Sequence, residues 1–328
     1  MSSRLARNAS IRLEAVEDVP VGHGYWAGAW RRLLRNRVAV AGLLIIAILV
    51  TLAIAAPLVA PHDPSTQNLR DTFASPSLHH LAGTDNLGRD WLSRLIYGAR
   101  VSLTVGIFAQ VIVLGIGLPV GLIAGYRGGF ADSLLMRTAD LFYAFPDLLL
   151  IILLRAVVGG SVFMLFLIIG LVTWMDTARL VRGQVLTLRE REFVTAARSL
   201  GASDREIMTR HLLPNLAGPV IVLVALGVPR AVFAEAALSF IGFGVTGSTP
   251  SWGTMVEEGY SAIVSFPYLV IFPSIAIALL MLSFTFLGDG LRDALDPSTD
   301  VSPSLPKVET PRRRKAPPAE PTELPKAA

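Results

Sequence analysis

With 328 residues, of which 52% are hydrophobic and 16% charged, the chain carries far less charge than the roughly 25% usual for a soluble domain, which favours a membrane protein. The absence of cysteine excludes disulfides, thiolate metal sites and a cysteine nucleophile. The only lysines, Lys307, Lys315 and Lys326, lie near the C-terminus, so a GxxxxGK[ST] phosphate loop is excluded, and with it ATP hydrolysis by that route.

Six runs of about 20 mostly apolar residues are long enough to cross a bilayer as helices. In chain order they are Val38–Val59, Val101–Tyr126, Leu134–Val158, Val162–Leu180, Ala217–Phe240 and Tyr268–Gly288. We therefore predict an all-α, polytopic membrane protein with six transmembrane helices embedded in the lipid bilayer.

The distribution of positive charge predicts the orientation of these spans. Most Lys and Arg lie before the first span, between spans two and three, between spans four and five, and after the last span. Cytoplasmic segments carry such an excess, so both termini are predicted to be cytoplasmic. The chain then divides into a cytoplasmic segment 1–37, a transmembrane domain 38–290 and a cytoplasmic tail 291–328 with a disordered composition. Because the arginines flank apolar runs, no nucleic-acid partner is predicted.

Small residues form a stripe along the second predicted span. Gly117, Gly121 and Gly125 recur every four residues, which places them on one helix face where another backbone can approach closely. The stripe predicts either a helix contact within the chain or a contact with a partner subunit, and the sequence leaves both open.

Charged residues inside predicted spans are costly and usually face protein or water. Asp140 and Asp147 are seven residues apart, which would place them on one face of the third span, where they line a hydrated path or anchor neighbouring spans. Asp176 and Arg179 are three residues apart in the fourth span, and a local ion pair accounts for them.

The fifth span contains two further charges. Arg230 follows Pro229 deep within the span, and Glu235 lies five residues further on. We interpret both as candidates for a pathway-facing or gate position. None of the six spans contains a histidine, which excludes an intramembrane serine protease, and no catalytic residue is predicted.

The segment between the first two spans carries two pairs of opposite charges. Asp85 and Arg89, and Asp90 and Arg94, have the i, i+4 spacing of ion pairs on a surface helix. The pairs are compatible with docking of a partner protein and equally with local support of the helix.

The same segment contains three histidines, His62, His79 and His80. Adjacent histidines without a cysteine or a third ligand at a typical spacing are weak evidence for a metal ion. No metal site is predicted.

The most informative segment is 189–215, between spans four and five. Phe193, Ala197 and Leu200 share one helix face at i, i+4, i+7 spacing, whereas the opposite face is charged. Gly201 is predicted to end this helix, as glycine commonly does.

A second short helix is predicted to follow. Ser203 and Glu206 have the S-x-x-E spacing of a capping box, and Pro214 is predicted to limit the length of the helix. This helix-turn-helix bracket, residues 189–215, is too short and too polar to span a membrane. It predicts either a helix pair that packs on the membrane surface or under the bundle, or a docking element for a soluble partner.

The bracket resembles the EAA loop of the permease subunits of binding-protein-dependent ABC importers, whose pattern is EAA-x3-G-x9-I-x-LP. The positions that align with the pattern are Thr195, Ala196, Ala197, Gly201, Leu213 and Pro214, and all of them except Thr195 carry its residue. Thr195 replaces the glutamate of the pattern and His211 replaces its isoleucine, so the ionic contacts of that glutamate are not assigned to Thr195.

Four other segments narrow the resemblance to the second-permease type of the dipeptide, oligopeptide and nickel permease family. They are residues 83–94, 234–244, 250–253 and 287–297. The resemblance implies a type I importer bundle that translocates peptides or a related solute across the cytoplasmic membrane by alternating access.

The same resemblance implies the partners. They are a second, homologous permease, two ATP-binding subunits that dock on the bracket, and an extracytoplasmic solute-binding protein. The chain itself is expected to bind no cofactor, and ATP is used by the partner subunits. The alternative is a secondary transporter or channel that works without ATP. Dipeptides, longer peptides, nickel chelates and glutathione-like compounds all remain open as substrates.

Overall fold

The computed structural model describes residues 25–159, 161–245 and 249–295, and within these ranges the regular elements are helices. They are α1 (Tyr25–Arg35), α2 (Arg37–Ile54), α3 (Ala56–Val59), α4 (Trp91–Arg127), α5 (Gly129–Tyr143), α6 (Asp147–Val158), α7 (Val162–Leu188), α8 (Glu192–Ser199), α9 (Asp204–Glu206), α10 (Leu213–Phe240), α11 (Trp252–Tyr260) and α12 (Tyr268–Leu295). A 3₁₀ turn covers Leu69–Asp71, and a π-helical segment, Ile207–Leu212, joins α9 to α10.

Five helical stretches are long and apolar enough to cross a membrane. They are α2, α4, α7, α12 and the run Asp204–Phe240 that comprises α9, the π-helical segment and α10. The prediction of an all-α, multi-span membrane protein is confirmed.

The third predicted span is not one helix, and this part of the prediction is wrong. The chain bends by 81° between α5 and α6, so the total of six spans holds only if this bent pair makes one crossing. The cause is Pro146, which has the extended angles φ −60° and ψ 125° and disfavours helical geometry at the residue before it.

The ends of the bundle also differ from the predicted domain limits. Within the predicted segment 1–37, residues 25–35 form α1, and its Leu33 packs with Ala39 of α2 and Ala294 of α12. Because α12 continues to Leu295, residues 291–295 are helical and not part of a disordered tail. The remainder of the predicted tail lies outside the described residues.

The glycine stripe packs α4 against α7, in the most extensive helix contact of the bundle. A Cβ atom on Gly121 would lie 2.4 Å from the carbonyl oxygen of Ala178, and one on Gly117 would lie 2.7 Å from that of Trp174. Only glycine allows the two backbones to approach so closely. The stripe is therefore explained by a contact within the chain, the first of the two alternatives.

Candidate functional site

Apolar contacts pack the bracket against one end of α4 and of α7. Val194 and Ala197 of α8 are buried, and Val194 belongs to a cluster with Val185 of α7 and Ile207 of the π-helical segment. The predicted apolar face was therefore only partly right. Ala197 does pack inward, but Phe193 is 39% exposed and Leu200 is 89% exposed, because Val194 takes the inward position instead.

The turn of the bracket has the predicted local geometry. Gly201 has φ +86°, a left-handed conformation that favours glycine after a helix. The backbone N–H of Ser203 donates to Glu206 at 3.1 Å, and that of Glu206 donates to the Ser203 hydroxyl at 3.3 Å. The capping box is thus confirmed.

Pro214 does not end the second helix, contrary to the prediction. The backbone continues as a helix from Asp204 to Phe240. A proline cannot donate to the preceding turn and its ring needs room there. The π-helical segment provides that room, since the N–H of Leu213 bonds to the carbonyl of Met208, five residues earlier. The second helix of the bracket and the fifth predicted span therefore form one continuous helical rod, Asp204–Phe240.

Polar contacts hold the bracket to the end of α4. The Tyr126 hydroxyl donates to a carboxylate oxygen of Asp204 at 2.7 Å, and the Arg189 guanidinium donates to the carbonyl oxygen of Gly125 at 2.9 Å. The family-pattern residues that stay exposed are Thr195, Ala196, Gly201 and Pro214, whereas Leu213 is half-buried. With Phe193 and Leu200 they form the exposed surface of the bracket.

A cavity of about 760 Å³ lies between α4, α6, α7 and α10. Its wall is mostly apolar, but it contains the charged residues Asp147, Asp176 and Arg230. Gln110 of α4 also faces it and lies against Gly227, where a Cβ would be 2.3 Å from the amide oxygen. Membrane-depth charge facing a cavity is the expected arrangement for a polar path.

The intramembrane charges pair differently from the prediction. Arg179 pairs with Asp140 of α5 and not with Asp176, so the predicted local ion pair is wrong. Asp176 instead accepts a hydrogen bond from the Tyr143 hydroxyl and lies 3.9 Å from Arg230. Tyr143 and Asp140 both lie in the last turn of α5, so these contacts join α5 to α7, and spacing along the chain could not predict them.

The bend between α5 and α6 separates the two aspartates that were predicted to share a face. Asp140 is in the last turn of α5, whereas Asp147 is in the first turn of α6. Asp147 lines the cavity with Arg230, and Asp140 is outside its wall.

Glu235 is also outside the cavity, although only five residues separate it from Arg230. Its carboxylate is completely buried and accepts hydrogen bonds from the hydroxyls of Ser102, Ser239 and Ser251. This environment joins α4, α10 and the start of α11. The structure therefore places Glu235 at a junction of these helices, outside the wall of the described cavity.

The segment between α3 and α4 does not form the predicted surface helix. Asp85 and Arg89 do pair at 2.6 Å, but they lie in a turn next to an isolated bridge between Thr84 and Asp90. Arg94 pairs at 2.7 Å with Glu258 of α11, not with Asp90. Glu258 is remote from Arg94 in the chain, so residue spacing could not predict it as the partner.

Asp90 caps the start of α4 and faces two histidines. Its carboxylate accepts from the backbone N–H of Ser93 at 2.8 Å and lies 2.8 Å from Nδ1 of His80. Burial raises the pKa of Asp90, but its hydrogen bonds with His80 and Ser93 outweigh burial, so the pKa lies below its ordinary value. Asp90 is a third group near the histidines, which spacing alone did not reveal.

A bundle of apolar helices with a charged cavity and a bracket fixed at one end defines a multi-pass membrane transport protein. Residues 117–301 match the sequence profile of the family described as binding-protein-dependent transport system inner membrane component. Residues 24–76 match the N-terminal TM domain of oligopeptide transport permease C.

Curated relatives agree with both profiles. The oligopeptide transport system permease protein OppC of Bacillus subtilis is 42% identical over 83% of this chain and 89% of its own length. The dipeptide transport system permease protein DppC of the same species is 43% identical over 83% of this chain and 86% of its own length. The glutathione transport system permease protein GsiD of Pectobacterium atrosepticum is 40% identical over 83% of this chain and 91% of its own length.

A solved structure shares the fold. A chain of the MetNI methionine ABC transporter in an inward-facing conformation superposes with a TM-score of 0.51 at 19% identity, covering 62% of this chain and 96% of that chain. The chain belongs to the family of binding-protein-dependent transport system inner membrane components and is an importer permease subunit of the inner membrane.

Proposed function

We propose that the chain imports peptides, or a related small solute, as one permease of a complex powered by separate ATP-binding subunits. The complex would contain a second, homologous permease and would receive solute from an extracytoplasmic binding protein. Both termini and the bracket would face the cytoplasm. The observation that carries this proposal is the exposed surface of the bracket, where Phe193 and Leu200 are exposed although α8 itself is anchored by buried Val194 and Ala197.

The continuous rod Asp204–Phe240 supports a specific coupling route. One end of the rod belongs to the bracket, and Arg230, further along it, lies in the cavity wall. A displacement of the bracket by an ATPase would therefore move one wall of the cavity directly. Packed helices with discrete arrangements convert such a displacement into alternating openings.

The charges in the cavity fit the termini of a peptide. Arg230 offers a cation for a carboxylate, and Asp147 and Asp176 offer anions for an amino group. Arg230 is 76% exposed at the side chain and lies 3.9 Å from Asp176, so the pair is loose enough to exchange partners. The names of the curated relatives support the same substrate class.

We expect Arg230→Ala to reduce uptake of a labelled tripeptide by about tenfold or more, since one charge-assisted contact is lost. Arg230→Lys should retain most of the uptake, and replacement of the exposed Arg292 by alanine should have no effect. Uptake is measured in the native host with the chromosomal copy replaced, and the amount of assembled complex is measured in parallel. Unchanged uptake in Arg230→Ala would remove Arg230 from the pathway.

The proposed function is tested by gentle solubilisation and identification of the proteins that co-purify with the chain. We expect an ATPase and a second permease. Phe193→Glu and Leu200→Glu should release the ATPase, because each places a charge on the exposed surface of the bracket. Leu78→Glu is the matched control, since Leu78 is 99% exposed but lies between α3 and α4.

The opposite result would favour the alternative class of transporter. If the chain purifies alone, and neither bracket variant changes its behaviour or its uptake, a secondary transporter or channel that needs no ATPase replaces the proposal. ATP dependence of uptake in reconstituted vesicles provides the independent check.

A further inference from the structure

We propose that His62, His80 and Asp90 form a binding site for a divalent transition-metal ion of the zinc class. The three residues come from separate points of the segment between α3 and α4, and their ligand atoms lie within 4.8 Å of one another. Imidazole nitrogen and carboxylate oxygen are common ligands of Zn²⁺. The inference is independent of the transport proposal.

The two oxygens of the Asp90 carboxylate have separate surroundings. Oδ2 accepts hydrogen bonds from the backbone N–H of Ser93 at 2.8 Å and from its hydroxyl at 2.7 Å. Oδ1 faces the imidazoles, 2.8 Å from Nδ1 of His80 and 3.6 Å from Nδ1 of His62. One oxygen thus orients the carboxylate, and the other is directed towards the candidate ligands.

Nδ1 of His62 is the second observation that points to a ligand. This atom is buried and has no hydrogen-bond partner within the described residues. A buried polar atom without a partner is rare in folded proteins. The backbone N–H of His62 is held at 3.0 Å by the Ser93 hydroxyl, so its main chain is fixed by the residue that orients Asp90. A metal ion would provide the partner that Nδ1 lacks.

The distances between the ligand atoms are such that only small movements of the side chains would be needed to bind the ion. Zn–N and Zn–O bonds of about 2.1 Å place tetrahedral ligand atoms about 3.4 Å apart, between the two separations measured from Oδ1. The His62 side chain is 37% exposed, which gives an ion access and allows water as the fourth ligand. The bound ion would tie the chain after α3 to the first turn of α4.

The full-length chain is purified with a histidine-free tag, placed in nanodiscs and titrated with Zn²⁺ in competition with a chromophoric chelator. We expect one Zn²⁺ per chain and an affinity more than about tenfold weaker in His62→Ala, His80→Ala and Asp90→Asn, because each removes a direct ligand. Asparagine caps helices as well as aspartate, so Asp90→Asn preserves the start of α4.

Two other histidines serve as matched controls. His79 is exposed beside His80, with ring centroids 5.5 Å apart, and His211 belongs to the bracket. His79→Ala and His211→Ala should bind Zn²⁺ like the unmodified chain, and in these proteins Zn²⁺ should raise the thermal unfolding midpoint. The proposal is overturned if no stoichiometric Zn²⁺ binds, or if the three ligand variants retain the affinity of the controls.

Discussion

Replacement of Gly121 by leucine is expected to separate α4 from α7 and to destabilise the chain by about 3 kcal/mol or more. The Cβ alone would lie 2.4 Å from the carbonyl oxygen of Ala178 and 2.8 Å from Cβ of Val181. The nearest atom is backbone and cannot rotate away, so the two helices must move apart. The loss is measured as a lower thermal unfolding midpoint and a smaller monodisperse fraction in detergent.

Two other glycines provide matched controls for this variant. Gly115 lies on α4 and Gly183 on α7, and a Cβ at either would meet nothing within 4 Å. Gly115→Leu and Gly183→Leu add the same apolar side chain to the same two helices and should leave the unfolding midpoint of the isolated chain nearly unchanged. Equal behaviour of all three variants would mean that the close approach of α4 to α7 is absent from the protein.

Prolines show why the helices were easier to predict than their ends. Pro119 lies within α4 and Pro273 within α12, whereas Pro146 separates α5 from α6 with an 81° bend. Pro214 is accommodated by a π-helical turn. Membrane helices tolerate proline when neighbouring helices or a local π turn satisfy the freed groups. Hydropathy reports where a helix is stable in lipid, but not which proline has that support.

Spacing predicted local contacts and failed for contacts between distant elements. The Gly117–Gly121–Gly125 stripe and the capping box were recognised because helix periodicity sets both patterns, whereas the partner of the stripe stayed open until the structure showed α7. Arg94 was paired with the wrong carboxylate because Glu258 lies in α11, and Asp176 was paired with Arg179 because its partner Tyr143 lies in a different helix, α5. Charge partners in a helical bundle depend on how the helices pack. Residues that meet through such packing have no fixed separation along the chain, so spacing in a single sequence does not reveal them.

Glu235→Ala is expected to lower the free energy of unfolding by about 3 kcal/mol, because buried hydroxyls lose their acceptor and a void remains. Oε1 accepts from Ser239 at 2.7 Å and from Ser251 at 2.6 Å, and Oε2 accepts from Ser102 at 3.0 Å. Glu235→Gln keeps the size and one carbonyl acceptor, and its amide can donate to Ser102. The glutamine variant should therefore lose much less of the free energy of unfolding than the alanine variant.

This pair of variants separates a helix junction from a gate. A junction predicts that stability and peptide uptake fall together in Glu235→Ala, that both largely persist in Glu235→Gln, and that alanine at the exposed Glu257 of α11 changes neither. A gate predicts a different pattern, in which both Glu235 variants fold normally but lose uptake. The second pattern would return Glu235 to the pathway beside Arg230, because a carboxylate needed only for transport can be removed without loosening the contact between α4, α10 and α11.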